Sequence, residues 1–294
     1  MPVRDILLAL VVVTIWGLNF TVIKLSVNEM PPILVAALRF FFAAFPAVLF
    51  VPRTVAPWRL VFSYGLLMGF ALYALLNLSI YLGMPASLSS LVLQVQSIFT
   101  ILLAFLVFNE RPRRIQLLGI TVALAGIVII GNAHWQQTSI IPFLILILAA
   151  MAWGGANIVS KRAGAINMIA FTVWGNLIAA PMLFCLSLVI DGPSAVWQAL
   201  TNPNWQSAGL IAFLAYPATL MGFAIWSGLL QRHPTTSVAP FTLLVPVTGI
   251  LGGVLILGES FAVADILGGV FVLAGLALIV VRLKRNQAPA LPGA

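Results

Sequence analysis

Trp16-Gly17-Leu18-Asn19-Phe20-Thr21-Val22-Ile23-Lys24 returns 137 residues later as Trp153-Gly154-Gly155-Ala156-Asn157-Ile158-Val159-Ser160-Lys161, with the same length and the same Trp-Gly and Lys ends. Each copy lies in an apolar segment long enough to cross a bilayer. Each places an indole and an amide near mid-membrane, where a polar group finds no water to bond. Residues that awkward, placed twice, predict two related halves built around a central polar site.

Composition agrees with that setting. Of 294 residues, 62% are hydrophobic and only 7% charged, against roughly 25% charged in soluble proteins. Segments of about 20 mostly apolar residues, the length that spans a bilayer, occur ten times. They run approximately over 6–26, 33–52, 61–82, 87–108, 114–132, 140–160, 168–190, 208–230, 236–257 and 263–283. Pro31-Pro32, Gly83-Met84-Pro85, Arg111-Pro112 and His233-Pro234 punctuate the joints, as helix-ending residues should. The expected fold class is an all-α integral membrane protein of ten transmembrane helices. Arg4 ahead of an apolar stretch resembles a signal peptide, but the stretch lacks an Ala-x-Ala site and reads as a retained first helix. Cys185 stands alone inside an apolar run, so no intrachain disulfide forms and the thiol is expected to pack.

The net charge of +8 does not point to nucleic acid, because the basic residues are scattered between apolar runs. They report topology instead. With a cytoplasmic N-terminus, the inside segments hold Arg4, Arg53, Arg59, Arg111, Arg113, Arg114, Lys161, Arg162, Arg232, Arg282, Lys284 and Arg285, and the outside only Lys24. That bias predicts both termini in the cytoplasm.

The repeat extends past its opening motif. Segments one and two match six and seven at an offset of 137, and three to five match eight to ten at 149. Asn109-Glu110-Arg111 thereby faces Gly258-Glu259-Ser260, and Leu124-Ala125-Gly126 faces Leu273-Ala274-Gly275. One insertion between Asp191 and Gln206, in an outside loop carrying Trp197 and Trp205, reconciles the two offsets. Five helices per half is odd, so the copies must insert upside down relative to each other, as a 5+5 inverted repeat. The expected division is residues 1–132, residues 133–285, and a disordered tail at 286–294. Gly65 with Gly69, and glycines at 249, 252, 253, 268, 269 and 275, would let helix backbones approach closely.

Polar positions inside spans are candidates for lining a substrate path. Trp16 lies about 15 Å along its helix from the cytoplasmic end, and Asn19 shares its face. Trp153 and Asn157 repeat the pairing. The third segment carries Tyr73, Asn77 and Tyr81 at spacing four. The fourth carries Ser87, Ser90, Gln94 and Ser97, with Gln96 and Thr100 alongside, a stripe with no reason to face lipid. The eighth carries Tyr216, Thr219, Phe223 and Trp226, and by the repeat Asn77 corresponds to Trp226. Pro240 and Pro246 interrupt the ninth, where they would expose carbonyls or permit bending. Interhelical glue and an aromatic core are the plainer readings of the amides and of the eighth segment. Arg39 is the one charge well inside a span, about 10 Å from its outer end. Burying it costs about 3 kcal/mol on insertion scales, so it either forks a substrate carboxylate or snorkels outward to Glu29, carbonyls or headgroups. Lys24 and Lys161 sit at helix ends as anchors. The candidate binding set is Trp16, Asn19, Arg39, Tyr73, Asn77, Gln94, Ser97, Trp153, Asn157, Tyr216 and Trp226.

Asp5, Glu29, Glu110, Asp191, Glu259 and Asp265 all fall at helix ends or in loops. No mid-membrane proton carrier, metal-ligand cluster or nucleophile–base pair is expected, and neither is a cofactor, so an enzyme is poorly supported.

Trp16-Gly17-Leu18-Asn19-Phe20 with Val22-Ile23-Lys24, Met30-Pro31-Pro32, Leu38-Arg39-Phe40, Gly83-Met84-Pro85-Ala86, Ser90-Leu91-Val92-Leu93-Gln94, Glu110-Arg111 and Val238-Ala239-Pro240-Phe241-Thr242-Leu243-Leu244-Val245-Pro246-Val247 resemble the EamA family of the drug/metabolite transporter superfamily. The resemblance covers nearly all of the chain. It implies a ten-helix fold with a central cavity in a bacterial inner membrane. It also implies efflux of small metabolites, with cysteine and O-acetylserine as expected cargo. It does not supply a coupling ion: small multidrug relatives use a Glu in their first helix, and this sequence has none there. Bulkier aromatic or drug-like amphiphiles are the alternative cargo, and a lipid-handling protein the alternative outside transport. Because both inverted halves lie in one chain, the protein is expected to work as a monomer whose partners are its small-molecule substrate and the lipid bilayer.

Overall fold

A computed structural model describes residues 1–135, 140–164, 166–202, 204–233, 235–260 and 262–280. The expected tail at 286–294, and Arg282, Lys284 and Arg285 of the charge bias, lie outside the described residues. Everything regular in the described residues is helical. Among the described residues, nine helices are long and apolar enough to span a bilayer: α1 (Val3–Glu29), α2 (Pro32–Phe50), α3 (Trp58–Tyr81), α4 (Ala86–Phe108), α5 (Arg114–Ala133), α6 (Ile141–Ala163), α7 (Met168–Ile190), α8 (Trp205–Arg232) and α9 (Pro240–Leu257). A tenth apolar helix, α10 (Val263–Val280), ends at the edge of the described residues. The molecule is an all-α membrane protein, as its composition requires.

Proline and left-handed residues set the helix limits. Pro32 and Pro193 sit at first helical positions, where a missing N–H costs nothing. Asn109 ends α4 at φ 57° and Gly258 ends α9 at φ 66°, the left-handed cap that closes a helix with a backward N–H bond. The insertion after α7 forms a short surface helix, Pro193–Thr201. Trp197 within it and Trp205 after it are 70% and 94% exposed, as headgroup-level indoles would be.

The α5–α10 crossing is a backbone-to-backbone contact made possible by glycine. A Cβ on Gly119 would lie 2.7 Å from the Gly275 carbonyl, and one on Gly126 would lie 2.5 Å from that of Gly268. Gly268 and Gly275 are the residues 149 positions after Gly119 and Gly126. The contact is therefore self-complementary: each helix offers the same two positions to the other. α1 on α9 and α6 on α4 pair in a related way. A Cβ on Gly17 would meet Thr248 and Gly249, and a Cβ on Gly154 would meet Phe99 and Thr100; the glycines lie 137 apart and the residues they would meet 149 apart.

α3, α4 and α8 lose regular geometry at mid-length and α9 at its start, and these four segments too occur in pairs. α3 widens to a π-helix over Gly65–Ala71 and α8 over Tyr216–Met221. α4 tightens to a 3₁₀ turn over Leu93–Val95 and α9 over Ala239–Leu243. Proline explains the last of these, since Pro240 removes a ladder donor. Irregular backbone at membrane depth is tolerated only where protein or a cavity covers it.

Candidate functional site

The irregular segments surround one cavity of about 410 Å³. Each contributes to its wall: Met68 from α3, Gln94 from α4, Ala218 from α8 and Thr242 from α9. α1, α2 and α6 add Trp16 and Asn19, Arg39, and Trp153 and Asn157. The cavity extends to Ser160, Met168 and Leu230, at the end of the molecule that also carries Lys161, Arg162 and Arg232. At the other end Glu259 docks on the first turn of α4. Its Oε1 accepts the Ala86 N–H at 2.7 Å, and its Oε2 accepts the Ser87 N–H at 3.0 Å and the Ser87 hydroxyl. A carboxylate there satisfies orphan donors and the helix dipole together.

Arg39 is 3% exposed and its head reaches the cavity wall. Nε donates to Thr219 Oγ1 at 3.0 Å and Nη1 to Asn19 Oδ1 at 2.7 Å. The guanidinium carbon lies 4.2 Å from the centroid of the Tyr73 ring. These partners are neutral, so the full positive charge remains. The snorkelling alternative toward Glu29 is not what forms. Glu29 instead accepts from Asn204 at 3.4 Å.

The two helices that hold the guanidinium, α1 and α8, also carry an aromatic wall. The Trp16 ring lies 5.6 Å from Phe223 and 5.3 Å from Trp226, tilted contacts in the favourable range for ring pairs. Its indole N–H donates to the Ala218 carbonyl at 3.1 Å, which the wide turn of α8 presents inward. Asn157 is committed to its neighbours: Nδ2 donates to Gln96 Oε1 at 2.8 Å and to Thr100 Oγ1 at 3.0 Å, joining α6 to α4. It therefore lines the cavity and also acts as glue.

Nine expected residues meet at this cavity: Trp16, Asn19, Arg39, Tyr73, Gln94, Ser97, Trp153, Asn157 and Trp226. Two, Asn77 and Tyr216, do not line it. Asn77 is fully buried against α2, donating to the Pro32 carbonyl at 3.0 Å. The 40° drift of a four-residue step has carried it off the Tyr73 face. Tyr216 is 42% exposed and lines an outer crevice with Glu29 and Leu38, because it begins the π segment, whose wide turn directs Ala218 and Thr219 inward instead. The serine stripe is also only half lining. Ser87 holds Glu259, and Ser90 donates to the carbonyls of Ser87 at 2.6 Å and Pro246 at 3.4 Å. The last bond uses a carbonyl in the proline-interrupted helix. Tyr64, Met68 and Met168 line the cavity without any signal in the sequence that separates them from core. The Tyr64 ring meets Phe171 in a tilted contact, centroids 4.7 Å apart. No group of three metal-ligating side chains gathers among the described residues.

Residues 4–132 and 140–281 each match the EamA-like transporter family. The chain is 38% identical over 291 residues to the "Probable amino-acid metabolite efflux pump" of Escherichia coli K12, covering 97% of both proteins. It is 39% identical over 279 residues to the protein of the same description in Salmonella typhimurium LT2, covering 93% of both. A solved crystal structure, 19% identical, superposes with a TM-score of 0.64 over 98% of this chain and 99% of its own.

Proposed function

The chain belongs to the EamA-like transporter family, and from that premise we propose that it exports small carboxylate-bearing metabolites from the bacterial cytoplasm, amino acids such as cysteine and O-acetylserine among them, by alternating access around the Arg39 cavity. As a family member it is a membrane transporter of small metabolites and not an enzyme. The observation that carries the finer reading is the Arg39 head. It is a desolvated cation with only neutral partners, at the wall of a cavity sized for a small molecule. A substrate carboxylate is the group that would complete it.

Two five-helix halves, residues 1–132 and 133–285, inserted upside down to each other, would supply the alternation. The paired irregular segments and the self-complementary α5–α10 crossing support that division. With both termini cytoplasmic, the cavity described here opens toward the cytoplasm, the loading side for an exporter in the inner membrane, and Glu259 holds the outer side shut. A single chain contains both halves, which favours a monomer. The Trp16–Phe223–Trp226 wall favours a second cargo, aromatic amino acids, which would use the same carboxylate anchor.

The test is transport of an amino acid and of its amide by wild-type protein and Arg39→Gln in liposomes at matched protein levels. Leaving a desolvated carboxylate unpaired costs about 2–5 kcal/mol. Half-saturation for the acid should therefore rise on the order of a hundredfold, less for Arg39→Lys, which keeps charge without the planar fork. The amide should be indifferent. Equal loss for both substrates, or for neither, would remove Arg39 from recognition.

A further inference from the structure

Recognition of a carboxylate leaves the other end of an amino acid to be accounted for. An ammonium buried in a membrane protein needs a carboxylate or an equivalent set of acceptors. This chain has six carboxylates, and every one is engaged away from the cavity. Asp5 binds Arg232 at 3.1 Å and His233 at 2.6 Å. Glu29 takes Asn204, and Glu110 pairs with Lys161. Asp191 accepts from the Leu34 N–H at 3.0 Å and from Ser187 at 2.7 Å. Glu259 caps α4, and Asp265 accepts from the Ala262 N–H at 3.0 Å. Among the described residues, Arg39 is consequently the one formal charge on the cavity wall.

Alternating access requires the cavity to close around its cargo, and closure removes water. Closing on a zwitterion adds an ammonium and a carboxylate to Arg39, so a net positive charge is desolvated. Closing on a monoanion leaves the contents neutral. Gln94 and Ser97 offer an ammonium neutral acceptors, and the faces of Trp16, Phe223 and Trp226 some cation–π attraction, but neither cancels the charge as an ion pair would. We infer that the preferred cargo of this site is a small monoanionic carboxylic acid without a free ammonium, such as an N-acylated amino acid or a hydroxy acid. The inference rests on the reading of Arg39 as the carboxylate anchor.

A consequence follows for energetics. Each turnover moves one negative charge outward while Arg39 stays in the membrane. The inside-negative potential then drives export by itself, about 50-fold in concentration per 100 mV. No coupling ion is needed, in keeping with spans whose carboxylates all lie at helix ends or in connections.

O-acetyl-L-serine and N-acetyl-L-serine are isomers that differ in this respect alone, the first a zwitterion and the second a monoanion. Liposomes holding only the full chain, in mildly acidic buffer so that the acyl group does not migrate, are loaded with either isomer. A potassium diffusion potential is then imposed with valinomycin. The N-acetyl isomer should show a half-saturation about tenfold or more below that of the O-acetyl isomer. Its efflux should accelerate when the interior is negative and slow when it is positive, and Arg39→Gln should abolish the preference. Transport of O-acetylserine with exclusion of its isomer, or N-acetylserine flux blind to potential, overturns this inference and leaves the export of amino acids standing. An N-acetyl preference that survives in Arg39→Gln overturns it as well. Flux of neither isomer would overturn the export reading itself, and this inference with it.

Discussion

At the scale of single residues, the account turns on how a buried charge is held. Asn19 supplies the 2.7 Å acceptor for Arg39 Nη1, so it is a positioning residue as well as part of the wall. Asn19→Leu should destabilise the protein by about 1–3 kcal/mol, because a buried guanidinium loses its acceptor. It should also raise half-saturation for a carboxylate but not for the corresponding amide. Asn77→Leu should leave both half-saturation values as in wild type, since that amide bonds the Pro32 carbonyl outside the cavity. Transport kinetics at matched membrane abundance checks the pair, and a shift in half-saturation for Asn77→Leu would contradict the geometry. Sequence reveals a polar group in a span readily, because hydrocarbon tolerates so few. Trp16, Asn19, Arg39, Gln94 and Asn157 are legible on that ground. It reveals less well which way a helix faces after a change of pitch. Tyr216 begins a π segment, where a count of 3.6 residues per turn misplaces the side chain, and Asn77 is carried off the Tyr73 face by the drift of a four-residue step. Tyr64, Met68 and Met168 look like core by type, and only the packing distinguishes them.

At the scale of elements, helix existence is legible from hydropathy and helix irregularity mostly is not. The 3₁₀ turn of α9 is announced by Pro240. The π segment over Gly65–Ala71 contains no proline, and nothing local marks it apart from its counterpart in the other half, which begins next to Pro217. The helix ends behave more simply. Asn109-Glu110 and Gly258-Glu259 are equivalent positions with the same left-handed cap, yet their carboxylates differ in use. Glu259 closes the first turn of α4. Glu110 pairs with Lys161, and both of those side chains are about half exposed. Glu259→Ala should therefore cost about 1–2 kcal/mol, the range for losing a helix N-terminal cap. Glu110→Ala should cost under about 1 kcal/mol, as exposed ion pairs do. Thermal midpoints of the two purified variants in one detergent compare them directly. An equal or reversed order would show that the Glu259 contact does not hold the outer end.

At the scale of the whole molecule, the cavity is where the paired irregular segments of the two halves converge. Two π segments and two 3₁₀ turns frame it, one buried cation and an aromatic wall line it, and the carboxylates are spent at the periphery. The central claim is that a substrate carboxylate occupies this space against Arg39. Its most direct test is substrate protection of a cavity thiol. Ser97→Cys is placed in a Cys185→Ser background, and labelling by a membrane-permeant maleimide is timed with and without ligand, with transport by the double variant verified first. O-acetyl-L-serine or its N-acetyl isomer should slow labelling at saturating concentration. The carboxamide of either should not, and Arg39→Gln should abolish the protection. Labelling that no carboxylate slows, or that acid and amide slow alike, would contradict the claim.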